Sequence, residues 1–505
     1  MKMFDNLIFS KLKNQKSKLL LFTFFLSLLA YGFALTTHSI TIDNETPINS
    51  DFGMDFGRWG QNLILYQLFN GHLPYFSLML SLFLFTIVAV KLADLFNFRD
   101  WSSYMFCALF VTFPQVSYQF VFGMATIVAS LGLLLSVISV ELFIRSCDST
   151  SNLKKYLGLV LTCLVITFIF GIYQGFVIVQ ILIYLIFIFN KTFQIDFKYL
   201  FEFKRLAIFT SILLISGLLY LLSVKIFCPP IENSAYLASF TQGQGSNSNL
   251  FESFYLLLKI NLKGNAFYGE KLYSIATIAV MLLIFKIIFL RKHFLLRFLF
   301  LIFILIAPFL ISFFITSGYH PPRLYLTANI VFAFLIISAL NQFKFEDKTL
   351  SLYFVAILVV INISFITKLY IACNNIYEID KRTAEKIDNI IQRKYSIIYN
   401  KNLHVYFYGY FPYEYHQAYR LPDSEVFGGS FYNWDNGNNF RITNFFNAAN
   451  VASYKMIETK EMLEKIKSNI TKSPIWPNED SVTMIDSTTV VVKLGDKIGG
   501  KMYFE

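Results

Sequence analysis

Long apolar runs constrain this chain more than any other feature of its sequence. A helix needs about 20 apolar residues to cross the hydrocarbon of a bilayer. Eleven runs are candidates, at roughly 18–38, 74–95, 102–118, 124–144, 156–174, 175–190, 206–227, 273–290, 298–316, 325–341 and 349–369. The chain is 56% hydrophobic and only 15% charged. This is more apolar surface than the core of a soluble protein needs to bury, so lipid must cover the rest. We therefore expect a polytopic α-helical membrane protein with about 11 transmembrane helices.

Basic residues in the short segments between these runs predict how the helices are oriented. If the N-terminus is cytoplasmic, the cytoplasmic segments contain many more Lys and Arg than the opposite short loops. Membrane proteins show this asymmetry. An odd number of spans then places the C-terminus on the outer side. The same distribution accounts for the formal net charge of +11, so nucleic-acid binding is not expected.

Two domains are predicted. Residues 1–370 form a transmembrane domain, in which the outer loops 39–73 and 228–272 are long enough to contribute to a site. Residues 371–505 form a small α/β domain on the outer side. The cytoplasmic loops are short and contain no phosphate-binding glycine motif, so any chemistry is expected on the outer face.

Three segments support the α/β assignment of the tail. Residues 374–394 predict an amphipathic helix, with its isoleucines near one face. HVYFYGYF at 404–411 predicts a strand, and VTMIDSTTVVVKL at 482–494 predicts a strand or a hairpin. Between them, FGGSFYNWDNGNNF at 427–440 is rich in Gly, Asn and aromatic residues and predicts a loop.

The first outer loop is unusually acidic. It contains Asp43, Glu45, Asp51 and Asp55, followed by Arg58. If 39–46 is extended, Asp43 and Glu45 face the same way. If the chain is helical from about 51, the other two acids share a face with Arg58. A solvated loop would also explain these acids, but like charges at this spacing repel, so we favour a carboxylate site.

Such a site suits glycosyl transfer from a lipid-phosphate sugar. One carboxylate would deprotonate the acceptor hydroxyl, as the base does in inverting glycoside chemistry. Cations would stabilise the departing phosphate. Because phosphate is already a good leaving group, a general acid is less necessary.

Candidate partners for the phosphate and the sugar lie in other outer segments. Arg323 and His320 lie in TSGYHPPRLY, and Lys263 lies in NLKGNAFYGEK. Tyr173 and Gln174 lie between the fifth and sixth spans, where they could hydrogen-bond a sugar. Each of these residues also has an alternative role. Arg323 and His320 would anchor the protein at the membrane interface, and Lys263 would be a solvated loop lysine. Tyr173 and Gln174 would form hydrogen bonds between helices.

The region after the first span resembles the start of the phage-type, serotype-converting O-antigen glucosyltransferase family. The resemblance rests on the acidic ID-x-E motif, on GRWG at Gly57–Gly60 and on GIYQ at 171–174. Many spans, short basic cytoplasmic loops and an extracytoplasmic tail agree with it.

This resemblance implies a GT-C-type, inverting glycosyltransferase in the bacterial inner membrane. The implied donor is undecaprenyl-phosphate glucose, and the implied acceptor is a lipid-linked O-antigen sugar of lipopolysaccharide on the periplasmic face. The C-terminal domain would then be periplasmic. Asp43 or Glu45 is the expected base, Asp51, Asp55 and Arg58 would organise the site, and Arg323 is the first choice for the phosphate.

Two other functions share parts of this pattern. An O-antigen polymerase also has many spans, but its large outer loop tends to lie between spans. A lipid-linked sugar flippase or transporter would need polar residues along the membrane midplane, and no charged residue falls clearly in the middle of a predicted span.

No cofactor is expected, and no metal-ligand spacing is present, although acid clusters can hold divalent ions. We predict that transfer activity survives chelation. Loss of activity in EDTA, restored by a divalent cation, would contradict this prediction. The assay is glucosyl transfer by purified protein with and without the chelator.

Overall fold

The computed structural model describes residues 15–71, 73–194, 197–229, 266–290, 293–314, 321–342, 348–396, 403–411, 419–457, 459–470 and 472–496. The chain divides into two compact units. Met1–Leu35 and Ile48–Thr367 form the first, the helical unit. Thr36–Pro47 and Lys368–Glu505 form the second, the C-terminal unit. Each is described by itself.

Helices dominate the helical unit. They are α1 (Gln15–Thr36), α2 (Trp59–Asn62), α3 (Pro74–Leu95), α4 (Asp100–Thr112), α5 (Ser117–Phe120), α6 (Thr126–Asp148), α7 (Asn152–Ile172), α8 (Phe176–Lys191), α9 (Tyr199–Phe227), α10 (Ser274–Leu290), α11 (Phe294–Ile306) and α12 (Ala328–Gln342). A further helix, α13 (Lys348–Lys394), contains the boundary between the two units.

Each predicted apolar run coincides with one of these helices. Among the described residues, 7 helices are long and apolar enough to cross a membrane. The runs at 102–118, 175–190, 298–316 and 325–341 form shorter helices of 13 to 16 residues. Pro114 explains the first of these, because proline has no N–H to donate and the helix ends at Thr112.

Helix α13 combines a predicted span with the predicted amphipathic helix. It is 47 residues long, about 70 Å at 1.5 Å per residue. Beyond the unit boundary its apolar face is buried, as at Ile376, Ala384 and Ile387. Asp380 lies on the same face and is also buried, so it needs a polar partner.

A three-stranded sheet organises the C-terminal unit. Its strands are β1 (His404–Tyr408), β2 (Val482–Asp486) and β3 (Thr489–Lys493), in the order β1-β3-β2. The β1–β3 pair is parallel and the β2–β3 pair is antiparallel, which confirms the predicted strand and hairpin. Helices α14 (Asn439–Ala448) and α15 (Lys460–Ile470) complete the unit. Tyr406, Val491 and Ile466 contribute to its core.

Glycines bring the segment before α14 against the carboxyl end of the parallel strands. Gly437 has a φ of 80°, and a Cβ there would lie 2.3 Å from the carbonyl oxygen of Gly409. Only glycine allows so close a backbone approach. Asp380 fixes the same segment, because it accepts hydrogen bonds from Ser430 Oγ and Phe431 N, each at 2.8 Å.

Candidate functional site

The GRWG and GIYQ motifs, two of those on which the family resemblance rests, pack against each other in the helical unit. A Cβ on Gly60 would lie 2.9 Å from the carbonyl carbon of Gly171. A Cβ on Gly171 would lie 2.5 Å from the indole ring of Trp59. The Trp59 Nε1 donates to Ser223 Oγ at 2.9 Å. Glycines in GRWG and GIYQ therefore let two backbones and an indole come into direct contact.

This contact positions Arg58 among aromatic rings. Its guanidinium carbon lies 4.8 Å from the centroid of the Tyr173 ring and 5.3 Å from that of Phe56. Gln174 Nε2 donates to the Phe56 carbonyl at 2.9 Å and to Tyr220 Oη at 2.7 Å, which holds the segment before Arg58 in place. The sugar contact predicted for Tyr173 and Gln174 stays a prediction.

Arg58 has a distinctive electrostatic setting. No ion pair with Arg58 occurs among the described residues, and its buried Nε has no hydrogen-bond partner there. Aromatic faces attract the cation without neutralising its charge. The guanidinium therefore remains available to an anion.

Asp51 and Asp55 do not share a helical face with Arg58, because no continuous helix runs from residue 51. Gly53 and Gly57 have φ values of 77° and 70°, and these left-handed residues interrupt any helix from 51 onward. Both acids lie exposed in the short turns that result. They also belong to the helical unit, whereas Asp43 and Glu45 belong to the C-terminal unit.

Asp43 and Glu45 meet on one arginine. Arg441 Nη1 donates to Asp43 Oδ1 at 2.8 Å and to Glu45 Oε1 at 2.6 Å. Its Nε donates to Asp435 Oδ2 at 2.7 Å. The carboxylates raise the pKa of the Arg441 guanidinium above its usual value, although burial opposes them. One partly buried cation thus binds three carboxyl groups.

The backbone around the first two acids is a turn, so the condition of an extended segment at 39–46 is not met. Residues 42–45 form a turn, in which Asn44 N donates to the Thr41 carbonyl at 2.9 Å and Asp43 has a φ of 75°. Aspartate tolerates this left-handed conformation better than most residues. The two carboxylates converge because both bind Arg441, not because they alternate along a strand.

Glu45 is the most buried acid of the first outer loop. Its side chain is fully buried, and its second oxygen, Oε2, has no hydrogen-bond partner among the described residues. Burial raises the pKa of Glu45 to about 7, and the nearby Asp43 charge adds to this, while Arg441 opposes it. A carboxyl that titrates near neutral pH with one unoccupied oxygen can act as a general base.

Arg323 lies in a turn that other polar residues hold. Gln115 Nε2 donates to the Pro322 carbonyl at 3.2 Å, and Gln119 Nε2 donates to the Arg323 carbonyl. The guanidinium carbon of Arg323 lies 5.0 Å from the centroid of the Phe122 ring. Lys263 and His320 lie outside the described residues.

Sequence reasoning missed Arg441 and Asp435. Arg441 follows the stretch assigned to loop, and its partners Asp43 and Glu45 precede it by 398 and 396 residues. The only sequence feature that could have drawn attention to Arg441 is that few other cations lie in this part of the tail. No local spacing connects residues so far apart.

Loss of the Arg441 charge should destabilise the C-terminal unit. In Arg441→Met, the fully buried Glu45 loses its counter-charge. Removing one partner of a buried pair costs about 3–5 kcal/mol. Because the Arg441 side chain is 19% exposed, we expect a smaller loss in the free energy of unfolding, about 2 kcal/mol.

Thermal unfolding of the purified protein measures this loss. The control Arg393→Met, which breaks an exposed pair with Glu479, should change Tm little; equal shifts would contradict the prediction.

Comparison with known proteins identifies the family. The family model described as glucosyl transferase GtrII matches residues 32–340, which is more than half of the chain. No curated protein and no solved structure matches the chain. The matched region contains Arg58, Tyr173 and Gln174, as well as Asp43 and Glu45, but not Arg441. The chain therefore belongs to the glucosyl transferase GtrII family of phage serotype-converting enzymes, which confirms the resemblance seen in the sequence.

Proposed function

Because the chain belongs to this glucosyltransferase family, we propose that it is an inverting enzyme of O-antigen serotype conversion. It moves glucose from undecaprenyl-phosphate glucose to a sugar of a lipid-linked O-antigen. The observation that carries the proposal is Glu45: a buried carboxyl with one oxygen on Arg441, the other unpartnered among the described residues, and a pKa raised by burial to about 7.

Glu45 is the proposed base. Its Oε2 takes the proton from the acceptor hydroxyl as that oxygen bonds to the anomeric carbon of the donor glucose. The bond between this carbon and the phosphate oxygen breaks, and the lipid phosphate leaves with the electron pair. A single displacement of this kind inverts the configuration at the anomeric carbon. Asp43 binds the same Arg441 guanidinium as Glu45, so it takes part in the charge balance around Glu45.

Arg58 is the proposed partner of the donor phosphate. An Arg guanidinium can hold phosphate oxygens bidentately, and its charge offsets the charge that develops as the phosphate departs. Arg58 fits this role because its aromatic neighbours leave the cation without an ion pair among the described residues. This changes the order expected from sequence, in which Arg323 came first. Arg323 remains a second candidate, and His320 and Lys263 remain predictions.

The proposed location is the bacterial inner membrane, with the N-terminus cytoplasmic and the C-terminal unit periplasmic. The apolar helices support a membrane-embedded protein. The Lys and Arg bias of the short loops supports the orientation. Asp43 and Glu45 then lie on the side to which a polyprenyl-phosphate sugar is delivered. No cofactor is part of the proposed reaction, and Arg441 supplies the positive charge next to the base.

Glu45→Gln tests the proposed base. The amide cannot accept the proton, so we expect kcat to fall by about 10²–10⁴-fold. In the wild type, only the ionised carboxyl accepts a proton. Since the pKa of Glu45 is about 7, kcat/KM should fall about tenfold per pH unit below that value and level off above it.

The pH–rate profile of glucosyl transfer to lipid-linked O-antigen measures both effects. The matched control is Glu479→Gln, which removes an exposed carboxylate of the same unit. It should leave the rate and the profile unchanged. Full activity in Glu45→Gln would rule out Glu45 as the base.

Arg58→Ala tests the proposed phosphate contact. Loss of a hydrogen bond to a charged group costs about 1.5–3 kcal/mol, so the donor KM should rise about 10–100-fold while the acceptor KM stays constant. Arg58→Lys should restore the activity only in part, because lysine lacks the guanidinium fork. Arg145→Ala, which removes an exposed arginine of the same unit, is the control. Equal changes in both KM values would argue against a phosphate contact.

A further inference from the structure

The C-terminal unit contains a cavity that the proposed chemistry does not use. Its volume is about 230 Å³. The residues that line it are Arg420, Ser430, Asn433, Trp434, Asp435 and Asn436. Four of the six lie consecutively in the stretch that sequence alone predicted to be a loop. The cavity therefore belongs to a single folded segment.

The backbone of this segment is held in an unusual conformation. Asp435, Asn436 and Gly437 follow one another in the left-handed region, with φ values of 51°, 58° and 80°. Non-glycine residues rarely adopt such values, so tertiary contacts must hold them. Asp380 binds the start of the segment through Ser430, and the close approach of Gly437 to Gly409 holds its end. The cavity is thus a fixed feature of the unit.

Packing around Trp434 leaves its indole as part of the cavity wall. Gly429 makes room for the ring, because a Cβ there would lie 2.8 Å from Trp434 Cε3. The guanidinium carbon of Arg420 lies 5.4 Å from the ring centroid. The indole is partly exposed and shares the wall with amide and carboxylate groups. An apolar ring surface therefore lies beside several groups able to form hydrogen bonds.

One of these polar groups lacks a partner. Asn433 Nδ2 is buried and has no hydrogen bond among the described residues. A buried donor left unsatisfied costs about 1–3 kcal/mol, so a ligand that supplies an acceptor is favoured. An orphaned buried donor in a cavity wall calls for an explanation, and a bound acceptor would supply one.

The charges of the wall favour a neutral ligand. It contains one guanidinium, from Arg420, and one carboxylate, from Asp435, together with the amides of Asn433 and Asn436. Planar groups of this kind can each bind neighbouring hydroxyls, and an indole suits the apolar face of a sugar ring. Pockets for drug-sized ligands are larger, roughly 300–1,000 Å³. The available space therefore suits a single pyranose ring.

The same wall is joined to the proposed base by one side chain. Asp435 accepts a hydrogen bond from Arg441 Nε at 2.7 Å, and Arg441 Nη1 donates to Glu45 at 2.6 Å. A sugar that binds Asp435 would thus contact a carboxylate that shares Arg441 with the proposed base. We propose that this cavity is a saccharide subsite that holds a neutral pyranose residue of the acceptor glycan; this assignment rests on the proposed function.

Binding is tested first, without turnover. The full-length protein in lipid nanodiscs is studied by saturation-transfer difference NMR with methyl pyranosides of glucose, galactose, mannose, rhamnose and N-acetylglucosamine. At least one should receive saturation from the wild type, and Asn433→Ala should weaken its binding at least tenfold. Asn469→Ala, an exposed asparagine of the same unit outside the cavity, is the matched control. If no pyranoside receives saturation, or if both variants behave alike, the subsite is wrong.

Kinetics then separate the subsite from the catalytic proposal. Asn433→Ala and Trp434→Leu should each raise the acceptor KM at least tenfold, with kcat and the donor KM near wild type. A general loss of folding would lower kcat instead, and Asn469→Ala should change nothing. An unchanged acceptor KM in both cavity variants overturns the subsite while the proposed function stands. Asn433-dependent sugar binding without any transfer by the wild type overturns the proposed function while sugar binding stands.

Discussion

The ion cluster around Arg441 is the interaction on which the rest of the structure depends. A guanidinium donates to Asp43, Glu45 and Asp435, and it supplies the counter-charge without which the fully buried Glu45 carboxylate would be costly. It also explains why residues 36–47 belong to the C-terminal unit. The same side chain sets the environment of Glu45 and fixes one wall of the cavity. One arginine therefore connects domain organisation, proton transfer and the proposed recognition of sugar.

In the helical unit, close glycine contacts rather than ion pairs position the candidate residues. Gly60 and Gly171 allow the GRWG and GIYQ segments to touch. These contacts present Arg58 on aromatic rings, where its charge is retained. In the proposed reaction, this cation is the partner of the anionic donor.

Sequence reasoning succeeded where the determining interactions are local. Apolar runs coincide with helices because a membrane helix satisfies its own backbone hydrogen bonds. The strand β1 and the hairpin β2–β3 follow from short β-branched and aromatic runs. The acidic loop was singled out because like charges that repel need an external explanation, and the assignment of Asp43 or Glu45 as the base stays a prediction.

The same reasoning failed where the determining contact is distant or the backbone is exceptional. The spacing of Asp51, Asp55 and Arg58 would have placed them on one face of a helix, but left-handed glycines at 53 and 57 prevent that helix. Arg441 could not be paired with Glu45, since 396 residues separate them. The cavity around Trp434 could not be predicted from sequence either. It lies in a segment assigned to loop, and its shape depends on contacts with Asp380 and Gly409 rather than on local propensity.

The central claim is that Arg441 acts on glucosyl transfer through Glu45. A double-mutant cycle on kcat, with Glu45→Gln, Arg441→Met and the combined variant, tests it most directly. If Arg441 serves only to position and charge-balance this base, the combined variant should be no slower than Glu45→Gln alone, within about threefold. If the two losses instead multiply, Arg441 acts independently of Glu45, and the claim is contradicted.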